Sequence, residues 1–108
     1  MQIKQKKISA NGIILSTEDG GKEVAHAYLY VLNNLHDRPF GLMEDVYVAE
    51  NYRGKGVGTE LIQELIKVAK QNDCYKLIGT SRYERPKVHG LYTRLGFKDW
   101  GKEFRMEF

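Results

Sequence analysis

The chain contains a single cysteine, Cys74, which excludes a disulfide within it. Only three histidines occur, and together with that one cysteine they show no zinc-ligand spacing. No apolar run approaches the length needed to cross a bilayer, and the opening Met1-Gln2-Ile3-Lys4-Gln5-Lys6-Lys7 lacks the apolar segment of a secretory signal. Charge of one sign is not concentrated either. The 17 Lys and Arg are interspersed with 14 Asp and Glu to a net +3, a balance that a solvated surface explains as well as nucleic-acid binding does. A disulfide scaffold, a zinc module and a membrane span are thereby excluded, and the expectation is a soluble protein of a reducing, cytoplasmic compartment with no metal. At 108 residues, with no repeat, low-complexity tract or linker, residues 1–108 are expected to form one domain with its own core.

What is present begins as β structure. Gln2 to Ser9 alternates weakly, Ile13-Ile14-Leu15 is a second run, and Val24 to Leu32 is a third with both faces partly apolar. Asn11-Gly12 and Asp19-Gly20-Gly21 supply residues that tolerate positive φ, so an antiparallel meander with hairpins at both points is expected. His26, alone on the third run, is read as a hydrogen-bonding structural residue. Asn33 to Pro39 is a polar loop that could lie beside a substrate.

The informative stretch is Leu42 to Asn72. Leu42 to Ala49 has the content of a strand, whereas Leu61, Ile62, Leu65, Ile66, Val68 and Ala69 recur at helical spacing from a start at Thr59. Between them stands Arg53-Gly54-Lys55-Gly56-Val57-Gly58. A strand that turns through glycines into a helix leaves the first helical N–H groups unpaired at the positive end of the helix dipole, a setting suited to phosphate. Asn72-Asp73 ends the helix and Cys74 to Thr80 returns as a strand parallel to the first. Pro86 then opens a second helix with Val88, Leu91, Tyr92 and Leu95 on one face, Gly96 sits at its cap, and Phe97 to Phe108 alternates aromatic and charged residues like a terminal β segment.

Spacing decides among phosphate ligands. A dinucleotide fingerprint starting at Gly54 or Gly56 needs glycine where Thr59 or Leu61 stands, and no Gly-Lys-Ser/Thr run completes a Walker loop. Arg-x-x-Gly-x-Gly through Arg53, Gly56 and Gly58 does fit, as does a second motif, Arg85-Pro86-Lys87-Val88-His89-Gly90-Leu91-Tyr92-Thr93-Arg94-Leu95-Gly96-Phe97. Together, in this order and separation, they resemble the GNAT superfamily of acyl-CoA-dependent N-acyltransferases.

The resemblance runs from Phe40 to the C-terminus. It implies an α+β fold with a mixed, mostly antiparallel sheet, a parallel strand-helix-strand unit and about two helices. It further implies N-acetyl transfer from acetyl-CoA to a primary amine by direct attack. Backbone N–H groups of Arg53, Gly54, Lys55, Gly56, Val57, Gly58 and Thr59 would surround the pyrophosphate, and the pantetheine arm would lie along the Val46 and Val48 strand edge. Tyr92 matches the tyrosine that protonates the departing thiolate. Glu44, expected on the same face as Val46 and Val48, resembles the glutamate of hexosamine-phosphate acetyltransferases and is the first choice of base; in the histone-acetylating branch the base would fall near Leu42, which cannot serve. His89 matches a histidine of one variant of the second motif, though it could simply hydrogen-bond within the helix.

The sequence departs from the family pattern in placing only Asn11-Gly12 where a pair of helices usually covers the acceptor. That suggests an open groove for a small-molecule amine or a protein or peptide lysine, or closure by a second subunit as a homodimer. An acetyl-CoA-binding sensor without transferase activity is the alternative. A basic nucleic-acid binder lacks a clustered basic stripe or an RNA-binding signature.

Overall fold

The apolar alternation of Val24 to Leu32 forms the longest strand, β2 (Lys22–Leu32), and the run before the Gly20-Gly21 turn forms its antiparallel partner, β1 (Asn11–Asp19). The computed structural model describes residues 1–35 and 37–108; His36, in the loop expected at Asn33 to Pro39, lies outside the described residues. On its other side β2 pairs antiparallel with β3 (Phe40–Val48), which pairs in parallel with β4 (Leu77–Gly79), so the sheet order is β1-β2-β3-β4. A turn of 3₁₀ helix (Glu50–Tyr52) and α1 (Val57–Gln71) make the crossover between the parallel strands, and α2 (Pro86–Arg94) follows β4. This is the expected α+β arrangement of a mostly antiparallel sheet with one parallel unit and two α-helices.

Both ends of the chain depart from expectation. Residues 1–10 hold no strand and are exposed, and Asn11 and Gly12 open β1 opposite Val31 and Tyr30 instead of forming a hairpin. The reason is that Gln2 to Ser9 offers only Ile3 and Ile8 as large apolar residues against three lysines, too little for a strand face to bury, and a turn dipeptide sets a hairpin only between two pairing strands. Gly12 serves the sheet differently: a Cβ there would lie 3.3 Å from the Tyr30 ring. The terminal β segment expected over Phe97 to Phe108 is likewise absent, with Trp100, Phe104, Met106 and Phe108 exposed. Alternation there marks a segment that could pair, and no described strand edge takes it up. β4 is shorter than the expected Cys74 to Thr80, and α1 starts two residues before Thr59.

The core lies between the sheet and α1. Ala25, Ala27 and Leu29 of β2 and Met43 of β3 meet Leu61, Ile62, Leu65 and Ala69, which recur on one side of the helix. Small alanines on β2 let the helix approach, and Leu29, Ile62 and Leu65 fill the centre. Between β3 and β4 the fit is equally close, since a Cβ on Gly41 would lie 2.9 Å from Leu77 Cδ1 and 3.0 Å from Leu29 Cδ1.

β3 carries one irregularity with a large effect. Tyr28 pairs with Glu44 and His26 with Tyr47, so Ala27 faces both Asp45 and Val46: a β-bulge, with Asp45 at φ 48°. The extra residue changes the parity of the strand. Met43 faces the core before it, Val46 and Val48 pack against the core after it, and Glu44 points to the opposite face. The expectation that Glu44 shares a face with Val46 and Val48 is therefore corrected, because strict two-residue alternation does not survive a bulge.

Leu65 is fully buried at the middle of the helix-sheet contact. Leu65→Ala is expected to lower the unfolding free energy by about 2–5 kcal/mol, read as a shifted urea midpoint; a loss below about 1 kcal/mol would mean that α1 does not anchor the sheet.

Candidate functional site

β3 and β4 pair at only three positions, Gly41 with Leu77, Leu42 with Ile78 and Met43 with Gly79. β3 then runs on to Val48, and among the described residues no strand covers that edge. The strands part into a cleft of about 690 Å³ whose lining includes Glu44, Asp45 and Val46 of β3, Gly58 and Ile62 of α1, and Tyr92 of α2. A cleft at the carboxyl ends of parallel strands is where ligands of such units bind. The exposed β3 edge also offers backbone groups to an extended, amide-containing ligand.

The glycine loop leads into α1, whose Gly58 lines this cleft. Gly54 and Gly56 have φ of 75° and 84°, a left-handed conformation in which a Cβ is strained, and Gly56 is the N-cap of α1 with no side chain capping the helix. The first helical bond runs from Glu60 N–H to the Gly56 carbonyl at 3.0 Å, so the N–H groups of Val57, Gly58 and Thr59 precede the intrahelical ladder. Arg53 differs from the rest of the loop: its own N–H bonds to the Glu50 carbonyl at 3.3 Å, and its Nε–H donates to the Val48 carbonyl at 2.7 Å. The arginine thus ties the loop to the end of β3, with its guanidinium over the Tyr47 ring. Gly58 needs no special φ, and a Cβ on it would meet only Val48 Cγ2 at 3.5 Å.

Tyr92 is fixed by the end of its own helix. Phe97 N–H bonds to the Tyr92 carbonyl at 3.0 Å and Gly96 N–H to the Thr93 carbonyl at 3.1 Å, with Gly96 at φ 100°. This is a Schellman cap, and its usual apolar contact is made by the rings of Tyr92 and Phe97, 5.3 Å apart. Both rings lie over Gly79 at the end of β4. The Tyr-x-x-Leu-Gly-Phe pattern is thus a device for holding one aromatic ring at the cleft. Burial pushes the Tyr92 hydroxyl above its usual pKa of 10; Arg85 opposes this and Glu44 adds to it. The hydroxyl therefore keeps its proton at neutral pH.

Glu44 and Tyr92 line the same cleft, from β3 and α2 respectively. His89 has a different setting. It is not among the residues lining the cleft, and its Nε2 lies 2.7 Å from the Arg82 carbonyl, joining α2 to the loop before it. Thr80, Ser81, Arg82 and Arg85 line the cleft from the segment after β4, and none of them is singled out by the sequence as a site residue: Thr80 reads as the end of a strand and Arg85 as the opening of the second motif. The signal available was their place just beyond the carboxyl end of a parallel strand. Among the described residues no group of His, Cys, Asp and Glu is placed to hold a metal ion, and no helix is long and apolar enough to cross a membrane.

Comparison with known proteins agrees with this geometry. The family model described as acetyltransferase (GNAT) family matches residues 2–97. A glucosamine 6-phosphate N-acetyltransferase of Candida albicans is 38% identical over 94 residues, covering 85% of this chain and 61% of that protein. One of Trypanosoma brucei brucei is 36% identical over 70 residues, covering 65% and 46%. The chain thus spans less than two thirds of the length of these relatives. Among solved structures, the glucosamine-6-phosphate N-acetyltransferase of Arabidopsis thaliana superposes with a TM-score of 0.80 at 26% identity, over 90% of this chain and 67% of that one. A Trypanosoma brucei acetyltransferase gives 0.77 at 28%, over 92% and 69%. With both motifs, the parted strands and the family match in agreement, this chain belongs to the GNAT family of acetyltransferases.

Proposed function

We propose that the chain moves an acetyl group from acetyl-CoA to a primary amine by direct attack within a ternary complex. The observation that carries this reading is the cleft where β3 and β4 part, which brings Glu44 and Tyr92 together beside a glycine loop ending in unpaired helix N–H groups. Acetyl-CoA supplies a thioester and an anionic pyrophosphate. Its pyrophosphate fits the N–H groups from Gly54 to Thr59 with Lys55 nearby, and its amide-bearing arm fits the uncovered edge of β3 at Val46 and Val48.

The chemistry needs two proton movements. An amine is protonated at neutral pH and has no lone pair for attack until a base takes its proton, the part assigned to the Glu44 carboxylate. As the carbon–sulfur bond breaks, the thiolate gains a proton from the Tyr92 hydroxyl, which burial keeps protonated until then. The acceptor class is drawn from the relatives, whose names specify glucosamine 6-phosphate and aminoglycosides, so amino sugars head the panel of amines and lysine peptides complete it. Calorimetry with acetyl-CoA and a thiol-release assay on that panel test the whole reading. Absence of acetyl-CoA binding overturns it, and binding without transfer to any amine replaces it with a sensor.

Three substitutions test its parts. Gly58→Ala should leave the melting temperature unchanged or higher, since alanine suits a helix, yet weaken acetyl-CoA binding about tenfold in calorimetry by placing a methyl group against the phosphates. Tyr92→Phe should slow turnover by about 10- to 100-fold without abolishing it, because a thiolate already leaves readily; an unchanged kcat removes Tyr92 from the mechanism. Glu44→Gln should lose activity near neutral pH and regain it as pH rises toward the pKa of the acceptor amine, about 10 where that amine is a lysine. A pH-rate profile identical to that of the unaltered protein eliminates Glu44 as the base.

A further inference from the structure

The bulge at Asp45 decides which way Glu44 points, so whatever holds the bulge acts on the site. Asp45 takes a left-handed φ of 48°, a conformation uncommon outside glycine that persists where surroundings enforce it. On the facing strand the His26 imidazole bridges two carboxylates. Nδ1 lies 3.0 Å from Glu23 Oε2 and Nε2 lies 3.1 Å from Asp45 Oδ2. Neither carboxylate can donate when ionised, so the bridge requires both ring nitrogens to carry hydrogen, which is the imidazolium form. The rings of Tyr28 and Tyr47 flank the imidazole with centroids at 5.7 and 5.4 Å, and the residue paired with His26 on β1 is the uncharged Ser16.

We propose that His26 is a positioning residue: by bridging Glu23 and Asp45 it pins the bulge that turns Glu44 to the opposite face from Val46 and Val48. Without the extra residue, positions 44, 46 and 48 would share one face, and either Glu44 would enter the core or the valines would leave it. The strap is an ion-pair network on the side of the sheet away from α1, and it meets the site through Asp45, which lines the cleft next to Glu44. Its titration follows. The hydrogen bond to Glu23 raises the His26 pKa from its ordinary 6.5, burial works against that, and Asp45 adds to the rise. With the folded pKa raised, the strap is complete below pH 6.5 and is lost as pH climbs through the folded midpoint.

The effect on turnover rests on the role proposed for Glu44, whereas the strap itself can be tested without substrate. An NMR titration of the His26 ring in the intact chain should give a midpoint above 6.5, and Asp45→Asn should lower it. Asparagine tolerates the left-handed conformation, so that variant removes charge while sparing the backbone. A midpoint at or below 6.5, or one unmoved by Asp45→Asn, overturns the proposal. In kinetics, His26→Leu should reduce kcat about tenfold through misplacement of Glu44, with KM for acetyl-CoA changed less than about threefold. The double variant His26→Leu/Glu44→Gln should be no slower than Glu44→Gln alone, because a residue acting through Glu44 has nothing left to act on. Additive losses overturn the proposal. If the unaltered protein acetylates no amine, the transferase reading fails, and the titration with Asp45→Asn still decides the strap.

Discussion

The parallel contact between β3 and β4 is only three residues long, and the site depends on its being both made and soon broken. Parallel strands cannot be joined by a tight turn and need a crossover. Here α1 supplies it by burying Leu61, Ile62, Leu65 and Ala69 against the alanines of β2 and against Met43. The helix therefore fixes where β3 and β4 start together, and the end of β4 at Gly79 sets where the cleft begins. A longer β4 would cover the β3 edge and leave an extended ligand no backbone groups to pair with there.

Two local devices work within that frame. The glycine loop turns the chain from β3 into α1 so abruptly that the first N–H groups of the helix face outward, and Arg53 fastens the loop to Val48. The Schellman cap at Gly96 clasps Phe97 onto Tyr92 and sets that ring over Gly79. Each is written in consecutive residues. The family motifs are conspicuous for that reason: they encode backbone conformations that the local sequence can enforce.

Glu44 is a different case, because its direction comes from a mismatch between two strands. Nothing in Leu42-Met43-Glu44-Asp45-Val46 signals a bulge, since neither glycine nor proline marks it and alternation reads straight through. The bulge becomes visible only when the register with β2 is known, and its carboxylate strap joins residues 19 positions apart. The chain ends show the reverse situation. Their alternation is legible, but a strand exists only with a neighbour, and in the described structure neither Gln2 to Ser9 nor Phe97 to Phe108 has one.

The sequence by itself determined the strand-loop-helix unit, the glycine turn that leaves the first N–H groups of α1 outside the helical ladder, the capped helix bearing Tyr92 and the GNAT family, because glycine placement and hydrophobic period act over a few residues. Tertiary structure alone decided that Glu44 and Tyr92 share a cleft, that Val46 and Glu44 face apart, and that Thr80, Ser81, Arg82 and Arg85 join the lining. Those outcomes depend on register, on strand length and on how far β3 and β4 stay paired, quantities set by contacts between segments distant in the chain.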